Sequence, residues 1–485
     1  MKIISMKKII ICLIISRACM VADQSFAQNE NEPQLNSFLE IAVNNNPQVK
    51  ASYHSYQAAL KKVPQVGTLP DLQATLGYFI KPMELISGNQ VADIQIMQMF
   101  PWFGTFKVSQ DEASMMAKAK FELFNASMSD LIRRVKNSWY QLMEYDREIA
   151  LIRENLELLK SIEKLAMVKY QSAGDTPPQG SGGTGMIGKN FVTQGIVNGS
   201  DDGMAGMKNS QKQSGRISSD EGMNSMSSTR DGKQGGLQDI LRIKLEILEQ
   251  ENRLSLLLDQ RKTEETNFNS LLNRDLNSQV EITDSLMMQT LPVPLEEIPD
   301  SILSNNPMLA MLEYEKNSYG LMEDKSKKMG SPMLGLGLDY MVIQKRAENS
   351  SMMNGKDMLM PMVSVTIPLY RKKYNAMQEE AQLLKEAGSQ QILDMKNNLM
   401  VQHRKTIQDL KDARRRIDLY KEQEELARKT TELLITGYVT TGSDFEEVLR
   451  MQLKVLDYGF LHIEAIVDYN DSIAMMEALM NSVKF

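Results

Sequence analysis

Leu237–Leu248 reads LQDILRIKLEIL, and Phe445–Leu456 reads FEEVLRMQLKVL. Leu241, Arg242, Leu245 and Leu248 of the first stretch are matched by Leu449, Arg450, Leu453 and Leu456 of the second, and most other pairs are conservative. Each stretch follows a Tyr-x-x-x-Gly turn, Tyr170–Gly174 and Tyr438–Gly442. Working outward, each half opens on an Asn-Pro pair, Asn46-Pro47 and Asn306-Pro307. Each also carries a proline before its longest helical stretch, Pro101 and Pro368. The repeat is far longer than a solenoid unit, so the chain reads as two fused halves, 28–290 and 291–485.

Both halves run in the same order: helix, two short strands, very long helix, tip, returning helix. The first helix is expected over Leu35–Lys62. Strands are expected at about 72–80 and 91–100, and again at about 333–343 and 359–368. Leu72, Ala74, Leu76, Tyr78 and Ile80 alternate on one face of the first strand. Leu334, Leu336, Leu338, Tyr340 and Val342 do so on the third, opposite Gly335, Gly337, Asp339 and Met341. Strands of about ten residues with period 2 suit a tilted membrane strand, and equally a small soluble sheet.

The long helices are expected over 106–172 and 372–436, with returning helices over 237–275 and 444–482. Phe106–Ser172 contains no Pro or Gly, and Leu142, Tyr145, Ile149, Ile152, Leu156 and Leu159 keep a coiled-coil spacing. Such a helix is on the order of 100 Å long. It belongs in a fibre, a bundle or a helical barrel rather than an ordinary globular domain, and a dimeric coiled coil fits the same pattern. Residues 175–236 form an insert holding half of the chain's 28 glycines and five methionines. That composition cannot bury enough apolar surface to fold, so disorder is expected there, at a helix-hairpin tip.

Residues 1–27 read as a secretory signal: Lys7-Lys8, an apolar Ile9–Ile15, and Ser25-Phe26-Ala27 for cleavage. Cys12 and Cys19 are the only cysteines and would leave with it, unless Cys19 is lipidated. Losing Lys2, Lys7, Lys8, Arg17 and Asp23 removes three net positive charges and takes the formal charge from −7 to −10. An acidic exported chain is a poor nucleic-acid binder. No Gly-x-x-x-x-Gly-Lys-Ser/Thr loop, catalytic triad or His-Glu-x-x-His occurs, so neither an enzyme nor a resident cofactor is expected.

Taken together, these motifs give the chain a resemblance to the TolC family of outer-membrane efflux channels, nearest its CusC/CzcC-like heavy-metal branch, from Leu35 to Leu479. Asn46-Pro47 with Leu69-Pro70-Asp71 is similar to the family's NP…LPDP opening, with Leu72 in place of the last proline. Met99-Phe100-Pro101-Trp102-Phe103-Gly104 resembles its strand-to-helix turn. Tyr438–Gly442 with Phe445–Leu449 resembles its tip, and Tyr469-Asn470 its closing YN. The resemblance implies a mainly α protein with a small β part. Three tandem-duplicated protomers would build a twelve-stranded outer-membrane β-barrel continued by a twelve-helix periplasmic α-barrel. Closure would leave no strand edge in the bilayer. It further implies partners: outer-membrane lipid, a periplasmic adaptor and an inner-membrane RND-type pump.

By motif position the resemblance places a periplasmic gate at Tyr438, Glu447, Asp239 and Asp444. It places an adaptor-docking tip at Tyr170, Gly174, Gly442, Arg242 and Arg450. Arg450 stands where some members have a further acid, and Ser443 where some have a basic partner. The acids fit equally as ordinary helix N-terminal carboxylates.

Methionine sets the expected cargo. There are 36, and thioethers select Cu(I) and Ag(I) over hard cations. Met341, Met360 and Met362 fall opposite the apolar stripe, with Met97 and Met99 on a less regular strand, and these five are the candidate weak metal contacts. Methionine as adaptable core filler is the competing reading for most of the set. A passive Cu(I)/Ag(I) or other heavy-metal export channel is the expectation. Drug or small-molecule efflux, type I secretion and a poreless periplasmic coiled-coil scaffold are the rivals.

Overall fold

A computed structural model describes residues 34–172, 234–291, 293–348, 354–440 and 445–482. The element order is α1 (Gln34–Asn45), α2 (Pro47–Val66), β1 (Gln73–Leu85), β2 (Gly88–Phe100), α3 (Thr105–Ser172) and α4 (Gln234–Leu272). It continues with α5 (Ile298–Asn305), α6 (Pro307–Met329), β3 (Met333–Gln344), β4 (Met358–Thr366), α7 (Arg371–Thr440) and α8 (Phe445–Met480). Helix–helix–strand–strand–helix–helix thus occurs twice. The chain divides into two compact units, one of them Asn155–Glu251 and the other the remainder.

The helix expected over Leu35–Lys62 is two helices. Pro47 has no N–H to continue the ladder, and Asn46 turns the chain and caps α2: its Oδ1 accepts from the N–H of Gln48 (2.9 Å) and Val49 (3.3 Å). Asn306 does the same for α6, accepting from Met308 (3.0 Å) and Leu309 (3.3 Å). Each of these asparagines also donates to a returning helix one residue before its end, Asn46 to Leu271 C=O (2.9 Å) and Asn306 to Leu479 C=O (3.1 Å).

The returning helices end alike. Asn273 and Asn481 follow α4 and α8 with φ of 52° and 50°. The next residue's N–H reaches back five residues, Arg274 to Asn269 and Ser482 to Glu477. This is a left-handed C-terminal cap with Asn where Gly is usual. It closes α4 at Leu272 rather than at residue 275. At its other end α4 begins at Gln234, so the last three residues of the expected insert are helical. The rest of that insert, Gly174, Gly442, Asp444 and the expected signal segment lie outside the described residues.

In the larger unit, α1, α2, α3, α4 and α8 share one core around Trp139, Leu131, Leu142, Phe268 and Leu272. Phe38, Trp139 and Phe268 form a triangle of rings 5.2–5.8 Å apart. A second core joins α5 and α6 to α7 and α8 through Ile298, Ile302, Leu399 and Met476. In the smaller unit, Leu156, Leu159, Ile162 and Ala166 of α3 and Ile240, Ile243 and Ile247 of α4 are buried. Lys160–Glu251 (3.7 Å) and Lys244–Glu163 (3.9 Å) bridge the two helices.

The strands form one antiparallel sheet in the order β1-β2-β3-β4, so β1 and β4 are its free edges. β1 runs past Ile80 through Pro82, which an edge strand tolerates because no partner needs its N–H. The register shifts there, between Tyr78 and Met83.

Candidate functional site

The sheet has two chemically distinct faces. Leu76, Tyr78, Ile94, Ile96, Leu336, Leu338, Val363 and Val365 share one face, and all are exposed, up to 77% for Tyr78 and 73% for Val363. A contiguous apolar surface of this kind on a small sheet marks contact with lipid or protein. The strand ends add Trp102, Phe103, Leu369 and Tyr370, also exposed.

The opposite face is polar and carries the methionines. Met97 pairs with Gly337 and Met99 with Gly335 across β2–β3; Gly337 pairs with Met362, Asp339 with Met360 and Met341 with Met358 across β3–β4. All five methionines singled out in the sequence therefore stand on one face, including Met97 and Met99, whose strand alternates poorly. The Ser364 hydroxyl lies 3.6 Å from the Met97 sulfur and 3.9 Å from that of Met99. Gln95 Nε2 lies 4.0 Å from the Met362 sulfur. Met358 and Ser364 complete the set: Ser364 follows from alternation with Met362, and Met358 joins because β4 begins there.

The turn residues separate into two groups. Tyr438 is buried at the end of α7, its ring 5.1 Å from that of Phe445, the first residue of α8. Glu447 sits in the first turn of α8, where the helix dipole favours an acid, and forms an ion pair with Arg450. In the smaller unit Tyr170 packs where a side chain on Gly236 would be, 3.1 Å from that virtual Cβ. Asp239 is half-buried there and Arg242 exposed.

A half-buried acid seam between α3 and α8 was not anticipated from the sequence pattern. Burial, then the charges of Glu148, Glu464, Asp468 and Asp471, push Glu144 up to about 8. Burial and Asp468 push Asp471 up to about 7 against the pull of Arg133. Glu148 is also raised, mainly by burial. Arg416 of α7 reaches Asp468 at 2.7 Å and Asp412 at 3.0 Å. The signal was present as acids four apart on one helix, Glu144/Glu148 and Glu464/Asp468, a spacing that repels unless something offsets it. His403 and His462 are both lowered by burial first, and His462 lies 3.8 Å from Glu424. Among the described residues no group of three His, Cys, Asp or Glu is placed to hold a metal ion, and no helix is long and apolar enough to cross a membrane.

No protein-family model and no curated protein sequence matches the chain. Solved structures match over nearly its whole length. The outer-membrane channel OprN is 13% identical with a TM-score of 0.67, covering 93% of this chain and 90% of its own. The open state of the Neisseria gonorrhoeae MtrE outer membrane channel is 12% identical with a TM-score of 0.66, covering 93% and 89%. CusC, a protein of transmembrane channel formation, is 11% identical with a TM-score of 0.63, covering 94% and 96%. The chain therefore has the fold of these channels: mostly helical, with a small antiparallel sheet.

Proposed function

We propose that this chain is the outer-membrane component of a tripartite efflux system, a passive conduit for Cu(I), Ag(I) or another soft heavy-metal ion. The observation that carries the reading is the two-faced sheet. One face is exposed and apolar, as lipid requires, and the other is polar and lined with thioethers. The shared fold with outer-membrane channels supports it. Three copies would close the sheet into a barrel and extend into the periplasm, where an adaptor and an RND-type pump supply the energy.

The exposed leucines of α4, Leu237, Leu241, Leu245 and Leu248, support assembly with further chains, since the described residues leave them uncovered. By motif position we assign Tyr438, Glu447, Asp239 and Asp444 to the periplasmic gate; the Tyr438 ring packs on that of Phe445. A ring of carboxylates favours cations, and the Arg450 partner of Glu447 moderates that charge. Tyr170, Gly174, Arg242, Gly442 and Arg450 are assigned to adaptor docking.

The test is cellular copper and silver content in a strain lacking the gene, with drug susceptibility alongside. Metal accumulation at unchanged drug tolerance is expected. Unchanged metal with raised drug sensitivity would replace the metal cargo with small molecules and keep the channel.

A further inference from the structure

The methionine face contains one place where side chains from two strands converge over a third. Gly335 and Gly337 leave the middle strand bare. A Cβ at position 335 would collide with the Ser364 hydroxyl and lie 2.8 Å from the Met99 sulfur, and one at 337 would lie 3.5 Å from the methyl carbons of both Met97 and Met362. Side chains from β2 and β4 thus lean across β3 and meet above it. The Ser364 hydroxyl stands between the sulfurs of Met97 and Met99. One row along β3, between Gln95 and Met360, the Oδ1 of Asp339 is buried and has no hydrogen-bond partner among the described residues. A buried acceptor left unsatisfied is costly, and a cation nearby would relieve it.

We propose that Met97, Met99 and Met362, gathered over Gly335 and Gly337 and oriented by Ser364, form a single soft-cation site for Ag(I) or Cu(I), with Asp339 as the compensating charge. The inference rests on the export reading and adds a defined stopping place on the ion's path. Thioethers are neutral and soft, so the site selects monovalent soft ions over Zn(II) or Na(I). Methionine's three rotatable bonds let the sulfurs close on an ion and release it. Conduction needs this balance, since a site that binds too tightly blocks the path. Met341 and Met358, paired two rows beyond, offer the next contact.

The experiment uses the full chain in detergent, labelled with 13C at the methionine methyl groups and titrated with silver nitrate. Signals are assigned by single Met→Leu substitutions, which roughly conserve volume. The same preparation is tested for conductance in planar bilayers. The methyl signals of Met97, Met99 and Met362 are expected to move together, and Zn(II) to move none of them. Ser364→Ala should weaken silver binding about tenfold, as loss of an orienting partner does. Gly335→Ala should weaken it as well, while Met167→Leu and Met395→Leu leave it unchanged. Three unmoved methyl signals, equal movement by Zn(II), or undiminished binding in the triple Leu variant would overturn the site. A preparation that conducts without binding silver at these residues removes the site and keeps the channel. One that binds silver there but neither assembles nor conducts keeps the site and removes the channel.

Discussion

At the residue scale, two asparagine devices define each half. Asn46 and Asn306 each cap one helix and tie down the end of another, so removing either side chain loses more than a cap. Asn306→Ala is expected to cost about 1–2 kcal/mol for the cap, plus the penalty of the orphaned Leu479 carbonyl. Asn306→Asp keeps the acceptor and loses the donor, so its unfolding midpoint should fall between those of the wild type and the alanine variant. Equal midpoints for Ala and Asp would show that the cap contributes nothing. The Asn-Pro pairs were plain in the sequence. Asn273 and Asn481 were not, because a left-handed residue after a helix announces itself as Gly and only secondarily as Asn. Their signal was positional: Leu-Leu-Asn and Leu-Met-Asn at the ends of corresponding helices.

Glu144 carries a pH prediction at the same scale. Its carboxyl is raised from the ordinary 4.5 to about 8, so the folded state holds the proton more tightly than the unfolded chain. Its contribution to stability is full below pH 4.5 and is lost as pH rises through about 8. Melting temperature should therefore fall between about pH 5 and about pH 8.5, and Glu144→Gln should flatten that fall. An unaltered slope in the variant would place the dependence on other groups.

At the element scale, the sheet's faces are not interchangeable. Val363 sits on the apolar face with 73% exposure, and Val363→Arg should cost roughly 2–4 kcal/mol if that face meets lipid near the bilayer midplane. Loss of the chain from the outer-membrane fraction is the expected readout. Thr366→Arg, on the opposite face, should stay in that fraction; equal behaviour of the two would refute the assignment of faces. The alternation at Leu334–Val342 made one strand legible. β1 was legible only to Ile80, because the edge-strand Pro82 breaks the pattern without ending the strand. Gly388, the one glycine within α7's long central stretch, also becomes clear only in the packed state. A Cβ there would lie 3.3 Å from that of Lys316 on α6, so the glycine permits a close helix approach. Gly388→Val should destabilise by about 1–3 kcal/mol through overpacking, measured by thermal unfolding.

At the scale of the whole molecule, the proposed channel needs further copies of the chain. Among the described residues the sheet ends on two unpaired edges, and its apolar face and the leucines of α4 are uncovered. Four alternating strands place β1 and β4 antiparallel to each other, so the edge of one copy can pair with the opposite edge of the next and continue the ladder. The long uninterrupted helices and the strand pattern made the mostly helical fold with its small antiparallel sheet readable from residues alone. The half-buried acids were not readable, because a carboxylate on a helix face looks solvated until the neighbouring helix is placed. Nor were the meeting points above Gly335 and Gly337, which depend on register across three strands.

We propose that copies of this chain close into a ring through β1 and β4. The native cysteines fall within the expected signal segment, so engineered ones can report the contact. The decisive measurement is non-reducing electrophoresis of membranes carrying Leu76→Cys on β1 with a second cysteine scanned over 360–365 on β4. Cross-linked dimers and trimers at one register, and nothing larger, are the expected result. Ladders extending beyond three chains, or no cross-link at any register, would contradict it.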